Sequence, residues 1–287
     1  MKKLLPILII LTTAYCFIDC TDIHGSCYNG PHRTNVGSIY TCGVPGTIAM
    51  TFDDGPSNYT MYISNKLHDY GIRGTFFTEG KKFNMSGYIL RYLLKQNHQI
   101  ACHTYSHPDL TTLTPQNITD EIMEYEKRFV ALNIFNNSRV PKYIRVPYSR
   151  INKNVSKVLT NLGYIVVDFT IDSNDTLSLD TLKNYKESFG GEDSSNVSYL
   201  SLSVISIHHD TTFATFSTID TLLKWLNINF IQKGTHFVTV AECLDDVNPY
   251  KRMFVLDTGT KSDATMNNIS LYLINIFMVI HYFFSKI

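Results

Sequence analysis

The sequence predicts an α/β domain built on a parallel sheet that closes, or nearly closes, into a barrel. Two observations predict it. Short apolar runs alternate with longer amphipathic stretches, without a breaking linker, between Cys42 and about Asp246. Polar and titratable residues gather where the apolar runs end, the place where the sites of such folds lie. With 287 residues and an apolar fraction of 44%, the chain has enough material for one sizeable core.

Seven runs read as strands: Thr47–Phe52, Thr75–Thr78, Gln99–Cys102, Tyr143–Val146, Tyr164–Phe169, Ser203–His208 and His236–Val240. Helices fall between them. Asn58–Tyr70 carries Met61, Ile63, Leu67 and Tyr70 at helical spacing and stops at Gly71. Gly87–Gln96 is the second, and Pro115–Asn133 the third, with Thr114 as a cap and Pro at the first turn. Lys153–Leu162 ends at Gly163, and Ser217–Asn229 is the last. Residues 189–198 read as an irregular surface loop, and 21–41 and 246–268 as loosely structured flanks.

Composition excludes some functions. Lys plus Arg and Asp plus Glu each number 25, the pI is about 7.1, and no basic stripe occurs. That argues against a nucleic-acid partner and against steering of strongly charged ligands.

Both ends read as addresses. Residues 1–16, MKKLLPILIILTTAYC, have a Lys2-Lys3 start, a short apolar run and small residues near Ala14, the pattern of a secretory signal peptide; a membrane anchor is the other reading. Residues 269–287 form an apolar tail behind the small residues Ser262, Asp263 and Ala264, which fits a GPI-attachment signal or a single membrane-spanning helix. The expected organisation is a leader over 1–16, a domain over 42–246, a linker over 247–268 and the tail. The expected location is the cell surface or wall, with a C-terminal tether.

A secreted chain makes its six cysteines disulfide candidates. Cys42 precedes the first strand and Cys243 follows the last, so a bridge between them would clasp the domain. Cys20 with Cys27 is a second candidate pair, and Cys102 reads as a buried thiol. Sequons occur at Asn58, Asn84, Asn117, Asn136, Asn154, Asn174, Asn196 and Asn268, either as glycan acceptors or as chance triplets in an Asn-rich chain.

The chemistry concentrates at the strand ends. Met50-Thr-Phe-Asp53-Asp54-Gly55-Pro56 closes the first strand on two adjacent carboxylates, whose repulsion needs a metal ion, an arginine or a shared proton. His103-Thr-Tyr-Ser-His107 follows the third strand and can aim two imidazoles at one point. Two His with one carboxylate from Asp53 or Asp54 make a catalytic zinc set with a position open, leaving the other Asp as a base. Arg145, in Tyr143-Ile-Arg-Val-Pro-Tyr148, sits at another strand end and can offset the paired charges. Asp172 and Asp175 end a further strand, and Ile207-His208-His209-Asp210 ends the next, so a carboxylate–His pair is available to prepare an acid.

In this order, TFDDGP, HTYSH, RVPY, an Asp-X-X-Asp segment and Ile-X-His resemble the polysaccharide deacetylase family, the NodB-homology or family 4 carbohydrate esterase group, and most of all its fungal-type chitin deacetylases. The likeness spans about Cys42 to Leu244 and includes GTFFTEG at 74–80. It implies a single catalytic domain with a distorted (β/α) barrel, and an N-acetyl hydrolase of N-acetylglucosamine polymers, chitin or chito-oligosaccharides. It implies Asp53 as base, Asp54, His103 and His107 as ligands of one divalent ion (zinc, with cobalt as the other option), and Arg145 as the tether of Asp53. It further implies Tyr148 as an oxyanion donor through its N–H, His209 rather than His208 as acid, Asp175 as the carboxylate tuning it, and Ile207 lining the acetyl pocket.

Two positions depart from the family pattern. Thr176 follows Asp175 where a Trp usually closes the acetyl pocket, and Ser149 follows Tyr148 where Gly is common. They keep a second reading open, a catalytically weak relative that binds wall polysaccharide. A metalloprotease is a third, and the absence of a His-Glu-X-X-His segment argues against it.

Overall fold

The structure, a computed structural model, describes residues 31–135, 138–189 and 202–253. The leader, Cys20, Cys27, residues 190–198 of the expected loop, the sequons at Asn136, Asn196 and Asn268, and the tail lie outside the described residues. Among the described residues no helix is long and apolar enough to cross a membrane.

Chain order runs β1 (Thr47–Gly55), α1 (Thr60–Asp69), β2 (Thr75–Thr78), α2 (Phe83–Lys95), β3 (Gln99–Cys102), α3 (Pro115–Ala131), β4 (Arg139–Pro141) and β5 (Tyr143–Ile144). It continues with α4 (Lys153–Asn161), β6 (Ile165–Val166), β7 (Ile171–Asp172), α5 (Thr181–Ser188), β8 (Ser203–His209), α6 (Phe213–Asn229), β9 (His236–Phe237), α7 (Val240–Cys243) and β10 (Tyr250–Arg252). The main sheet is parallel in the order β6-β5-β3-β2-β1-β8-β7, with β9 pairing the start of β1. Its end strands β6 and β7 do not pair, so the expected barrel is open, a half-barrel with β1 near its middle.

Burial on both faces explains the continuous apolar run of β1. Ile48, Met50 and Phe52 pack outward with Ile63 and Leu67 of α1 and Leu222, Leu223 and Leu226 of α6. Ala49 faces inward with Phe77, Ala101, Ile205 and Val240. By the same alternation Thr51 and Asp53 point inward, toward the end of the half-barrel where the polar residues gather. Helices α3, α4 and α6 begin where side-chain oxygens accept from their free amides: Thr114 from Asn117, Asn152 from Val155, and Thr212 from Thr215. Helix α6 therefore starts at Phe213, four residues before the sequence pattern placed it.

Two expectations about the flanks need correction. Residues 31–41 are not loose: Ile39 is buried, its N–H donates to Val166 and its carbonyl accepts from Asp168, while Thr170 donates its hydroxyl to the Tyr40 carbonyl. This strap lies along the open edge beyond β6 and reaches toward β7. Tyr250–Arg252, within the expected linker, forms an antiparallel ribbon with β4. Neither segment has enough length or alternation to register as a strand. Cys42 and Cys243 are joined as expected, and Cys102 is a buried free thiol whose pKa burial pushes up.

Candidate functional site

The register of the sheet brings the motifs together. Asp53 lies opposite His209 across the β1–β8 ladder, and His103 directly follows β3. The positive-φ residues Asp54, Thr104, His107, Tyr148, Ser149 and Asn174 all fall in these terminal loops. Left-handed non-glycine residues store strain and concentrate where a site over-determines the backbone. Ser149, at φ 50°, holds a conformation that Gly would adopt at no cost.

Asp53 and Asp54 have different partners. Asp53 is buried, and its Oδ1 accepts from Arg145 Nη1 at 2.8 Å. Arg145, itself 1% exposed, also donates to Thr51 Oγ1 at 2.6 Å, to the Asp168 carbonyl at 3.0 Å and to the Val167 carbonyl at 3.3 Å. Its guanidinium lies over the Phe77 ring, 4.3 Å from the centroid. A guanidinium fixed on this many points is a rigid counter-charge and holds the carboxylate in one orientation. Asp54 turns the other way, with Oδ1 3.2 Å from His103 Nε2 and 3.3 Å from His107 Nε2.

The donor set fits a divalent ion. Asp54, His103 and His107 each offer one ligand atom, and the three atoms lie within 4.8 Å of one another. The Nδ1 of His103 sits 2.8 Å from the Arg145 carbonyl, so Nδ1–H donates there and the Nε2 lone pair of the neutral ring faces Asp54. Asp54 Oδ1 is buried without a hydrogen bond, although it faces both imidazoles. A carboxylate oxygen and two imidazole nitrogens pointed at one another repel unless protons or a cation lie among them. The protonated alternative shows in the charge balance. Burial opposes the charged forms, but the facing imidazoles hold Asp54 far below the usual carboxylate range, and Asp53 and Asp54 push His103 up.

Across the site, His209 Nδ1 is 2.7 Å from Asp175 Oδ1, and the His209 N–H donates to Oδ2 at 2.7 Å. Thr212 and Thr215 add hydroxyl donors to the same carboxylate oxygen. Burial disfavours the His209 cation, but Asp175 and then Asp53 outweigh it and raise its pKa to about 9. Asp175 lies far below its ordinary range, since its bonds to His209 outweigh its burial. His208 belongs elsewhere: it is buried, stacks on Phe52 and Tyr185, meets the Tyr185 hydroxyl at 2.7 Å, and burial lowers its pKa to about 4. Alternation along β8 therefore assigns one imidazole to the core and the next to the site.

The remaining expected residues are placed as follows. The Tyr148 ring is 62% exposed and packs edge-on against His107, with centroids 4.7 Å apart. Ile207 is buried in β8, in register with Thr51 and Asp172. Asp172 is exposed and caps its own loop through the Asn174 N–H. Thr176 is exposed, and so is Leu177 beside it.

Sequence reasoning missed the layer beneath the Asp53–Asp54 loop. Asp210 is fully buried, accepts from the Thr60 hydroxyl, donates its N–H to the Asp53 carbonyl at 3.3 Å, and offers its own carbonyl to Ser57. Burial raises its pKa to about 7. A Cβ on Gly55 would stand 2.2 Å from Asp210 Oδ2, so the Gly in Asp-Asp-Gly-Pro makes room for this carboxyl. Lys82, paired with the buried Glu79, donates to the Asp54 carbonyl. The signal for Asp210 was its place after His209, legible only once the register of β1 and β8 is known.

Fold and site together fit a class, parallel half-barrel proteins that gather carboxylates and imidazoles at the strand ends. The polysaccharide deacetylase family model matches residues 41–167. A chitin deacetylase of Colletotrichum lindemuthianum is 32% identical over 225 residues, which are 74% of this chain and 86% of that protein. One of Arthroderma benhamiae is 31% identical over 72% of this chain, and the match spans 54% of its length. The solved structure of the Colletotrichum lindemuthianum chitin deacetylase superposes with a TM-score of 0.65 at 27% identity, covering 77% of this chain and 97% of that one. The chain belongs to the polysaccharide deacetylase family.

Proposed function

We propose that this protein is a metal-dependent hydrolase that removes N-acetyl groups from N-acetylglucosamine polymers, with chitin of a cell or spore wall as substrate. One observation carries the reading: an arginine-locked carboxylate and a carboxylate-paired imidazole, Asp53 and His209, face each other across two paired strands beside the Asp54, His103 and His107 cluster. Asp54, His103 and His107 would hold one divalent ion, and zinc suits one carboxylate with two imidazoles. When bound, the ion acidifies a water and polarises the acetamide carbonyl.

The chain's own residues do the rest. Asp53, held in one orientation by Arg145, accepts a proton from the attacking water as its oxygen adds to the carbonyl carbon. The Tyr148 N–H is the donor for the oxygen that gains charge. His209, charged near neutral pH through Asp175, gives its proton to the amide nitrogen as the C–N bond breaks. The products are acetate and a free glucosamine unit. Ile207 is the residue proposed for the wall of the acetyl pocket. The leader-like residues 1–16 and the tail 269–287 support secretion and a tether at the cell surface, by GPI or by a helix.

The test is acetate release from N-acetylglucosamine oligomers by the zinc- or cobalt-loaded protein, with Asp53→Asn alongside. Wild type should release acetate, and the variant should lose about 10²- to 10⁴-fold in rate. Calorimetry should show one zinc per chain, and His107→Gln should weaken binding at least about tenfold, since outer partners of such ligands alone carry that much. Exposed Thr176, in place of an apolar lid, favours the second reading, a polysaccharide-binding protein with little turnover. Zinc-loaded, folded protein that retains chitin and releases no acetate would establish that reading instead.

A further inference from the structure

Beside the candidate site, four aromatic side chains form a surface cluster. Helices α1 and α6 pack together, and Phe216 of α6 stacks on Tyr59 at 4.6 Å between centroids, meets Tyr62 at 4.8 Å and touches Phe213 at 5.9 Å. Tyr62 is 39% exposed and Phe213 58% exposed, and neither is packed into the main core cluster. The rim is polar: Lys66 lies over the Tyr62 ring and pairs with Asp220.

The cluster is continuous with the site. Helices α1 and α6 follow β1 and β8, the neighbouring strands that end in Asp53–Asp54 and His209. Thr212, which caps α6 one residue before Phe213, donates to Asp175 Oδ2, and Ser57 and Thr60 at the start of α1 bond to Asp210. The rings therefore stand on the two loops that position the candidate base and acid.

We propose that Tyr62 and Phe213, backed by the half-buried Tyr59 and Phe216, are a stacking platform for a sugar unit of the polymer, away from the unit held in the cleft. The inference rests on reading the cleft as a deacetylase of N-acetylglucosamine chains. A β-linked pyranose presents a flat C–H face with hydroxyl and acetamide groups at its edge, which matches ring faces bordered by polar groups. The polymer is neutral, and so is the protein. The rings expose roughly 300 Å². That suits one or two sugars and falls well short of the ~800 Å² per side of a stable protein interface.

The test compares wild type, Phe213→Ala, Tyr62→Ala with Phe213→Ala, and a control, Tyr88→Ala, an exposed tyrosine on α2. Acetate release is followed on long chitin oligomers and on the disaccharide, and retention on chitin beads is measured separately. The platform variants should raise KM for long chains about five- to tenfold, the value of a lost aromatic contact, with kcat kept and disaccharide kinetics unmoved. Equal KM for long chains, or an equal loss on the disaccharide, would overturn the platform. If wild type releases no acetate the deacetylase reading fails by itself, and bead retention then decides: a loss confined to the platform variants supports sugar stacking, and unchanged retention overturns it. A change of oligomeric state on sizing, with sugar binding unchanged, would give the patch to a second copy of the chain and overturn it as well.

Discussion

Replacing Arg145 by Met tests how two adjacent carboxylates are tolerated at the end of a buried strand. The methionine fills most of the space above Phe77, but buried Asp53 keeps only the His103 ring, 3.9 Å away, as a charge partner, and Thr51 and the Val167 and Asp168 carbonyls lose a donor. Removing one partner of a buried pair costs about 3–5 kcal/mol, and the additional lost bonds place Arg145→Met in the upper part of that range. The measurement is guanidinium denaturation at pH 7 with the disulfide intact. Asp53→Asn in the same chain removes the stranded charge, so the double variant should be more stable than additivity by about 1.5–3 kcal/mol. A loss under about 1 kcal/mol for Arg145→Met, or additivity within about 0.5 kcal/mol, would refute the argument that the guanidinium neutralises Asp53.

Three further outcomes follow from the geometry. The His209 pKa, at about 9 in the folded chain, lies above the ordinary value of about 6.5; its stabilising contribution is complete below about pH 6.5 and is lost as pH rises through about 9. The alkaline limb of the rate profile should then fall near pH 9 in wild type and move at least about one unit lower in Asp175→Asn; an unmoved limb would remove His209 from the acid role. Gly55→Ala should cost about 1–3 kcal/mol by driving a methyl into Asp210, and Asp210→Ala should relieve most of that cost in denaturation experiments. The Cys42–Cys243 bridge closes a separation of 201 residues, so replacing both by Ala should cost about 2–5 kcal/mol, read as a lower denaturation midpoint with the m-value checked.

Much of the fold was legible because the central strands are buried on both faces and helices such as α3 and α4 carry a cap within the chain's own local pattern. The carboxylate pair, the two spaced histidines and Arg145 were legible because like charges at a strand end demand a partner. What was illegible depends on which strands are neighbours. Ile39 contributes only isolated bridges, to Arg33 and to Val167, too short to leave a pattern, and β4 and β10 find each other across more than a hundred residues. Helix α5 was missed because its apolar positions are sparse, and Asp180 alone marks its start. The family resemblance already favoured His209 over His208; the side-chain alternation of β8 supplies the physical reason, sorting them once Phe52 and Asp53 are seen opposite. Asp210 and Gly55 explain one another, yet only their proximity in space shows it.

The strand order divides the candidate site into two inheritable parts. The three residues that would hold the ion are complete by His107, on β1 and the loop after β3, whereas the candidate acid His209 and its partner Asp175 arrive on β8 and the loop after β7. The two parts meet along the β1–β8 ladder and where Asp210 packs under the Gly55 turn. The stretch from Asp172 to Thr176 can therefore be altered while Asp54, His103 and His107 and the central strand keep their places. Exposed Thr176 stands in that separable part, so a change there leaves the residues that would hold the ion untouched.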